Sequence, residues 1–214
     1  MTNYYTDLGI IDYGKCLDLQ HKLVDLRKES RIKNTVLFLE HNDVYTIGRK
    51  ADINNYKNVN VIKTDRGGDV TFHGKGQLVT YFIFDVTING KLEIRKFLEK
   101  IENSYIDMLK INNYDAFIGD EPGIFININN EKKKVASIGL AIKGSISYHG
   151  VALNIGKEVL NGFNLINPCG MNNSIMYYAD INREKAVNDL LASMEKYFGS
   201  FEKINIDKII YWIL

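Results

Sequence analysis

Two strand-like runs in close succession constrain this chain most: KVASIGLAI (residues 134–142) and SISYHGVALNI (residues 145–155). Both are rich in β-branched and small residues, so a sheet lies near the middle of the sequence. Further strand-like runs occupy residues 4–11, 35–40 (TVLFLE), 44–47, 59–63, 77–85 (QLVTYFIFD), 116–118 and 123–127. His41, Asn42 and Asp43 make a turn, and residues 127–133 form a polar connection with the character of a hairpin turn. Three stretches have helical apolar spacing: residues 13–31, 91–111 and 182–198. The apolar tail, residues 209–214, is expected to dock on the core, because exposed it would promote aggregation. Helices interspersed among runs of strands predict an α/β chain (α+β mixed sheet), a mixed β-sheet flanked by helices. The 214 residues fit a single domain, 1–214, in which a small C-terminal subdomain from about Gly170 is the alternative division.

Charge excludes some partners. Twenty-seven basic and twenty-six acidic side chains leave a net charge of +1, so no bulk field favours nucleic acid or a membrane surface. The first residues, MTNYYTDLGI, lack the basic start and apolar block of a secretory signal. No apolar run approaches the roughly 18 residues of a membrane span. Cys16 and Cys169 are far apart, and reduced thiols in a cytoplasmic protein are the expectation. Cys16 lies on the first helical stretch, where a packed thiol is expected.

Cys169 is different. It stands between Pro168, which fixes its own φ, and Gly170, which permits a close backbone approach. Near its usual pKa of about 8.5 a thiol is only a few per cent thiolate at neutral pH, so a nucleophilic cysteine needs a basic or cationic neighbour. Lowering that pKa by about two units requires roughly 2.7 kcal/mol of preferential thiolate stabilisation. Lys134 is the candidate neighbour. Lys132 and Lys133 read as a solvated turn, whereas Lys134 opens an apolar strand where its stem can lie against the core and its amine reach inward.

A second constellation is RGGDVTFHGKGQ, residues 66–77. It is not a phosphate-binding P-loop: five residues separate Gly68 from Gly74-Lys75, and Gly76 stands where a metal-holding Ser or Thr belongs. It also lacks the dinucleotide-binding glycine spacing. Two readings remain, a glycine turn between sheet strands and a ligand pocket approached closely by the main chain. His149, in SYHGVALN, sits at a glycine kink in a strand and is either a hydrogen-bonded core residue or part of a pocket. His73, His149 and Cys169 are scattered singly, without the paired spacing of a zinc site, so no metal is expected.

Several of these segments occur in a known order: LFLEHNDVYTIGRKA, RGGDVTFHGKGQLVTY, PGIFI, KVASIGLAI, YHGVALNI and NPCG. Together they span residues 37–170 and closely resemble the octanoyltransferases of lipoate biosynthesis. The resemblance implies a biotin/lipoate protein ligase-like fold and a cysteine nucleophile at Cys169, with Lys134 lowering its pKa. It implies an acyl-binding site formed by Arg66, Gly67, Gly68, Asp69, Val70, Thr71, Phe72 and His73, by Ser137, Ile138 and Gly139, and by Gly150, Val151 and Ala152, with His149 beside them. No cofactor is implied. Lys75 replaces the proline usual in the HGPGQ motif, and the residues after Gly170 depart from the usual continuation.

The implied reaction moves an octanoyl group from octanoyl-acyl carrier protein to a specific lysine, the first step of endogenous lipoate synthesis. The implied acceptors are lipoyl domains of 2-oxoacid dehydrogenase E2 subunits and the glycine cleavage H protein. Carriers of this type are acidic, which makes Lys75, Lys132 and Lys133 candidate docking charges. Competing readings are an ATP-dependent lipoate ligase or an octanoyl amidotransferase of the same fold, a non-catalytic binding module, and, more remotely, a zinc hydrolase. The first two enzymes use a different glycine signature and lack a PCG cysteine, and a binding module has no need of Lys134 and Cys169 together.

Overall fold

The structure is a computed structural model that describes residues 2–119, 121–167 and 173–213. Pro168, Cys169 and Gly170 lie outside the described residues. The chain begins with β1 (Asn3–Ile11), α1 (Tyr13–Lys28), β2 (Thr35–His41) and β3 (Val44–Ile47). It continues through β4 (Val61–Lys63), β5 (Val70–His73), β6 (Gln77–Ile83), and the short β7 (Thr87–Ile88) and β8 (Lys91–Leu92). Next come α2 (Ile94–Ile111), β9 (Ala116–Ile118), β10 (Ile124–Ile128), β11 (Glu131–Lys143) and β12 (Ile146–Asn154). The last elements are α3 (Leu160–Phe163), α4 (Arg183–Phe198), β13 (Phe201–Lys203) and α5 (Ile206–Ile213).

Among the described residues the main sheet has eight strands in the order β13-β1-β2-β6-β12-β11-β10-β9. The pairs of β1 with β13 and β2 are parallel, and the remaining pairs are antiparallel. Alternation along β2 shows why the sheet is covered on both faces. Val36 and Phe38 enter a cluster with Phe97, Ile101, Tyr105, Leu190 and Met194 of α2 and α4. Leu37 and Leu39 enter another with Cys16, Leu23 and Val24 of α1. Side-chain caps start two of these helices. Asp12 accepts from the Lys15 amide, and Asn182 from those of Glu184 and Lys185. A second, three-stranded sheet, β4-β3-β5, packs with α3 around Phe72, Phe163, Val159 and Met176.

Several boundaries depart from the sequence expectation for local reasons. The polar 127–133 connection is tighter than expected: Asn129 and Asn130, at φ 50° and 63°, make a two-residue turn, and β11 starts at Glu131. The second helix starts at Ile94 rather than at residue 91, because Lys91 and Leu92 pair with β7. β5 and β13 were not expected as strands; each is short, and β5 is bounded by glycine-rich turns. The apolar tail belongs to α5, whose Ile209 is buried in the α1 cluster. Cys16 is packed as expected, and burial pushes its thiol up to about 12. Among the described residues no helix is long and apolar enough to cross a membrane.

Strand β12 carries a glycine with no room for a side chain against β6. A Cβ placed on Gly150 would lie 2.0 Å from the Thr80 carbonyl oxygen of the neighbouring strand. Backbone cannot give way there, so Gly150→Ala should destabilise the protein by about 3 kcal/mol or prevent folding. Urea denaturation measures this, and an unchanged midpoint would contradict the packing described.

Candidate active site

The placement of Lys134 follows from an irregularity in pairing. Ile124 pairs with Ala136 but Phe125 pairs with Lys134, so β11 carries a bulge at this point. A bulge breaks the two-residue alternation of side chains. Lys134 consequently joins Ser137 and Gly139 on the wall of one cavity. Its side chain is only 2% exposed, and its Nζ lies 5.8 Å from the centre of the Phe125 ring. Gly123, at φ +144°, makes room for it. A Cβ there would meet Lys134 Cε at 2.5 Å.

The cavity lies over the faces of β6, β12 and β11. Small residues form its floor: Ser137 and Gly139 on β11, Gly150 and Ala152 on β12. Apolar walls come from Val70 and Val79; Ile138 and Val151 also border the cavity, with their side chains packed in the cluster on the α2 and α4 face. The loop before β5 closes it from above. The Gly67 amide donates to the Leu140 carbonyl (3.0 Å), and the Arg49 and Lys50 amides donate to the Arg66 and Gly68 carbonyls (3.0 Å each). Arg66 itself is buried across Gly139, with Nη2 donating to the Thr46 carbonyl and hydroxyl oxygens and Nη1 to the Gly67 carbonyl.

Both described flanks of the Cys169 segment are tied to this site. On one side the Asn167 amide donates to the Asn55 carbonyl (2.9 Å), and Asn55 donates from its side chain to Asp69 of the loop. On the other, Met176 bridges Lys134, and the Tyr177 amide donates to the Lys134 carbonyl (2.8 Å).

A chain of hydrogen bonds fixes the state of His73. The Tyr177 carbonyl can only accept, so Asn154 presents Nδ2 to it (2.8 Å) and Oδ1 to Gln77 Nε2 (3.0 Å). Gln77 Oε1 then faces His73 Nδ1 (2.8 Å), which must carry the proton. The same logic applies to His41. Nδ1 donates to the Ile11 carbonyl, so Nε2 accepts from the Tyr81 hydroxyl (2.8 Å each). His149, at φ +57°, takes its amide to Gln20 Oε1 (2.7 Å) and its Nε2 to Asp65 Oδ1 (3.0 Å). Tyr148 also donates to Asp65. The kink expected at the glycine therefore falls on His149 itself.

Burial keeps these imidazoles neutral. It lowers His41 to about 4 and His73 well below the usual histidine value, the latter helped by His41 nearby. Burial also lowers His149, against the opposing pull of Asp65. Asp65 is raised by its own burial but held below the usual carboxylate value by its bonds from Tyr148 and His149. Burial pushes Tyr13, which stacks on His73, up to about 12. Among the described residues no cluster of histidine, cysteine or carboxylate side chains is arranged to hold a metal ion.

Of the residues singled out in the sequence, Lys134, Arg66, Gly68, Asp69, Val70, Thr71, His73, Ser137, Ile138, Gly139, His149, Gly150, Val151 and Ala152 surround this cavity. Gly67 and Phe72 do not. Gly67 anchors the loop, and Phe72 packs on Tyr45 and Phe163. Cys169 lies outside the described residues. Of the candidate docking lysines, Lys132 pairs with Glu121 (3.1 Å) and lies over Phe125, and Lys133 pairs with Glu131 (2.7 Å), so carboxylates offset both charges. Tyr13, Val79, Tyr81 and Pro122 line the cavity without having been singled out as site residues. Val79 and Tyr81 carry a signal in the alternation of QLVTYFIFD, whereas Tyr13 is brought in by α1 alone.

The lipoyl protein ligase A/B catalytic domain family matches residues 12–208. A probable octanoyltransferase 2 of Picrophilus torridus is 36% identical, over 94% of this chain and 82% of its own length. An octanoyltransferase of Desulforamulus reducens is 37% identical, over 80% of this chain and 77% of its own. The crystal structure of lipoate-protein ligase A bound with ATP superposes with a TM-score of 0.72 at 14% identity, covering all of this chain and 93% of that one. The chain belongs to the lipoyl protein ligase A/B catalytic-domain family, among its octanoyltransferases, and has the lipoate ligase fold.

The neutral histidines make stability depend on pH. A histidine whose folded pKa is depressed stabilises the fold fully above its unfolded value, and that contribution is lost as pH falls toward the folded one. For His41 the window runs from about 6.5 down to about 4. Across it the unfolded state binds the extra proton, and stability should fall by up to about 1.4 kcal/mol per pH unit from this residue alone. His73 and His149 act in the same direction. Urea unfolding at pH 7, 6 and 5 reads this out, and a flat profile would contradict it.

Proposed function

We propose that this acyltransferase moves an octanoyl group from acyl carrier protein to a lysine amine of a lipoyl domain, by way of a thioester on Cys169. The observation that carries the reading is the buried Lys134 amine on the cavity wall, with one described flank of the Cys169 segment tied to Lys134 itself and the other, through Asn55, to Asp69 of the loop that borders the cavity. The curated relatives named octanoyltransferases support the substrate.

In the first half-reaction the Cys169 sulfur attacks the thioester carbonyl, and Lys134 receives the thiol proton. The carbon–sulfur bond to the carrier then breaks, and the departing thiolate takes that proton back from Lys134. In the second, a neutral acceptor amine attacks the Cys169 thioester. The carbon–nitrogen bond forms, the carbon–sulfur bond to Cys169 breaks, and the departing sulfur takes up the proton that the attacking nitrogen sheds, which restores the thiol. The acceptor lysine is protonated at neutral pH, its usual pKa being about 10.4, so the proton it must lose needs a receiver. Lys134 fills that role too. No nucleotide is consumed, because the incoming thioester is already activated.

In this reading the small-residue floor and the walls of Val70 and Val79 hold the acyl chain away from water. That matters because water competes with the acceptor amine for the thioester. The acceptors would be lipoyl domains of 2-oxoacid dehydrogenase E2 subunits and the glycine cleavage H protein, met by a cytoplasmic enzyme acting as one domain.

The test mixes the protein with octanoyl-acyl carrier protein and measures intact mass. An octanoyl adduct that Cys169→Ala abolishes and that transfers to an unmodified lipoyl domain without ATP is the expected result. An adduct that survives Cys169→Ala, or a reaction that requires ATP, would overturn it. Lys134→Met should slow adduct formation by roughly a hundredfold or more, the ordinary scale of a lost proton-transfer group.

A further inference from the structure

The main chain of Tyr177 is held on both sides. Its amide donates to the Lys134 carbonyl (2.8 Å), and its carbonyl accepts from Asn154 Nδ2 (2.8 Å). Ala136 pairs with Leu153, so the start of β11 lies beside the end of β12, and two neighbouring strands grip one residue. Tyr177 stands eight residues after Cys169, and Met176 before it bridges Lys134. Of these ties, only the one from Asn154 is made by a side chain, so only that one depends on residue type.

Asn154 is 1% exposed and is not on the cavity wall. Its Oδ1 accepts from Gln77 Nε2 (3.0 Å), and its main-chain carbonyl accepts from the Ala179 amide (2.9 Å). The position needs one donor and one acceptor on a short side chain, which suits asparagine. An ionised aspartate would set oxygen lone pairs against the Tyr177 carbonyl. A leucine would leave that carbonyl and the Gln77 amide facing hydrocarbon, and a serine is too short to reach both.

We propose that Asn154 is a positioning residue for acyl transfer: it holds the stem that follows Cys169 against Lys134, and so sets the separation of thiol and amine. The inference rests on the reading of Cys169 and Lys134 as the reacting pair. A reacting group displaced by about 1 Å can lose about a hundredfold in rate. Releasing the stem at Tyr177 lets the thiol drift from the amine without altering the walls that hold the acyl chain. The loss therefore falls on the chemical step and spares donor binding.

The test follows single-turnover octanoyl adduct formation by intact mass across concentrations of octanoyl-acyl carrier protein. It uses the wild type, Asn154→Ser, Asn154→Leu, Lys134→Met and the Asn154→Ser/Lys134→Met double variant, with a urea midpoint for each. The expected result is folded Asn154 variants whose limiting rate falls by about tenfold or more, with the half-saturating donor concentration unchanged. The double variant should be no slower than Lys134→Met, because both substitutions disable the same pair. Asn154 variants at the wild-type limiting rate, or a double variant slower than Lys134→Met by the full factor, would overturn the inference and leave the Lys134–Cys169 reading standing. So would variants that are slow only because they no longer fold. Lys134→Met as fast as the wild type, or a wild type that forms no adduct, would overturn that reading and the positioning role with it.

Discussion

The bulge where β10 meets β11 decides which face of the sheet receives an amine. Without it, strict alternation would separate Lys134 from Ser137 and Gly139 and point the ammonium toward the other side. With it, the side chain lies over Gly123 and under the Phe125 ring, almost wholly removed from solvent. The Lys134 main chain has a separate task. Its carbonyl accepts from Tyr177, so the strand that presents the amine also fixes the chain that follows the cysteine segment. One residue thus couples the position of a base to the position of the segment it is proposed to serve.

The cavity beside it depends on what is missing from the sheet. Gly139 and Gly150 face each other across β11 and β12, and neither position has space for a Cβ without moving Arg66, Gly67 or the Thr80 carbonyl. Ser137, Gly139 and Ala152 leave a trough on the face that carries Val79 and Tyr81. The arginine loop roofs that trough using main-chain hydrogen bonds to residues 49, 50 and 140, which hold whatever the side chains do. A tightly tied polar network around three neutral histidines borders the trough on its inner side. Such a network has low tolerance for partial loss, since each amide is oriented by the next.

Much of this was legible in the sequence, and the unread parts have physical reasons. TVLFLE, QLVTYFIFD and the two runs around Gly144 announced the central strands, because β-branched and aromatic residues buried on both faces leave near-continuous apolar runs. Val70–His73 did not announce itself as a strand. Four residues between glycine turns carry too little pattern, and their pairing with Val44–Ile47 is a tertiary event. The pocket role of the Arg66–His73 run came from motif resemblance, and the geometry then separated Gly67 and Phe72 from the residues that face the cavity. The inward turn of Lys134 was inferred from its place at the start of an apolar strand, but the bulge that produces it leaves no trace in KVASIGLAI. Nor could the bonds of Asp65 to His149, or of Asn55 to Asn167, be read from residues so far apart in the chain. Cys169 remains a reading from sequence and family, framed by the anchors on either side of it.

The central claim, that the Lys134 amine acts on the Cys169 thiol, is tested most directly by the pH dependence of thiol alkylation. Cys16 is buried and held protonated, so at neutral pH a small haloacetamide should report on Cys169. Alkylation rates of the wild type should show a midpoint well below the usual thiol value of about 8.5, and Lys134→Met should return the midpoint to about that value. Identical profiles for the two proteins would contradict the account.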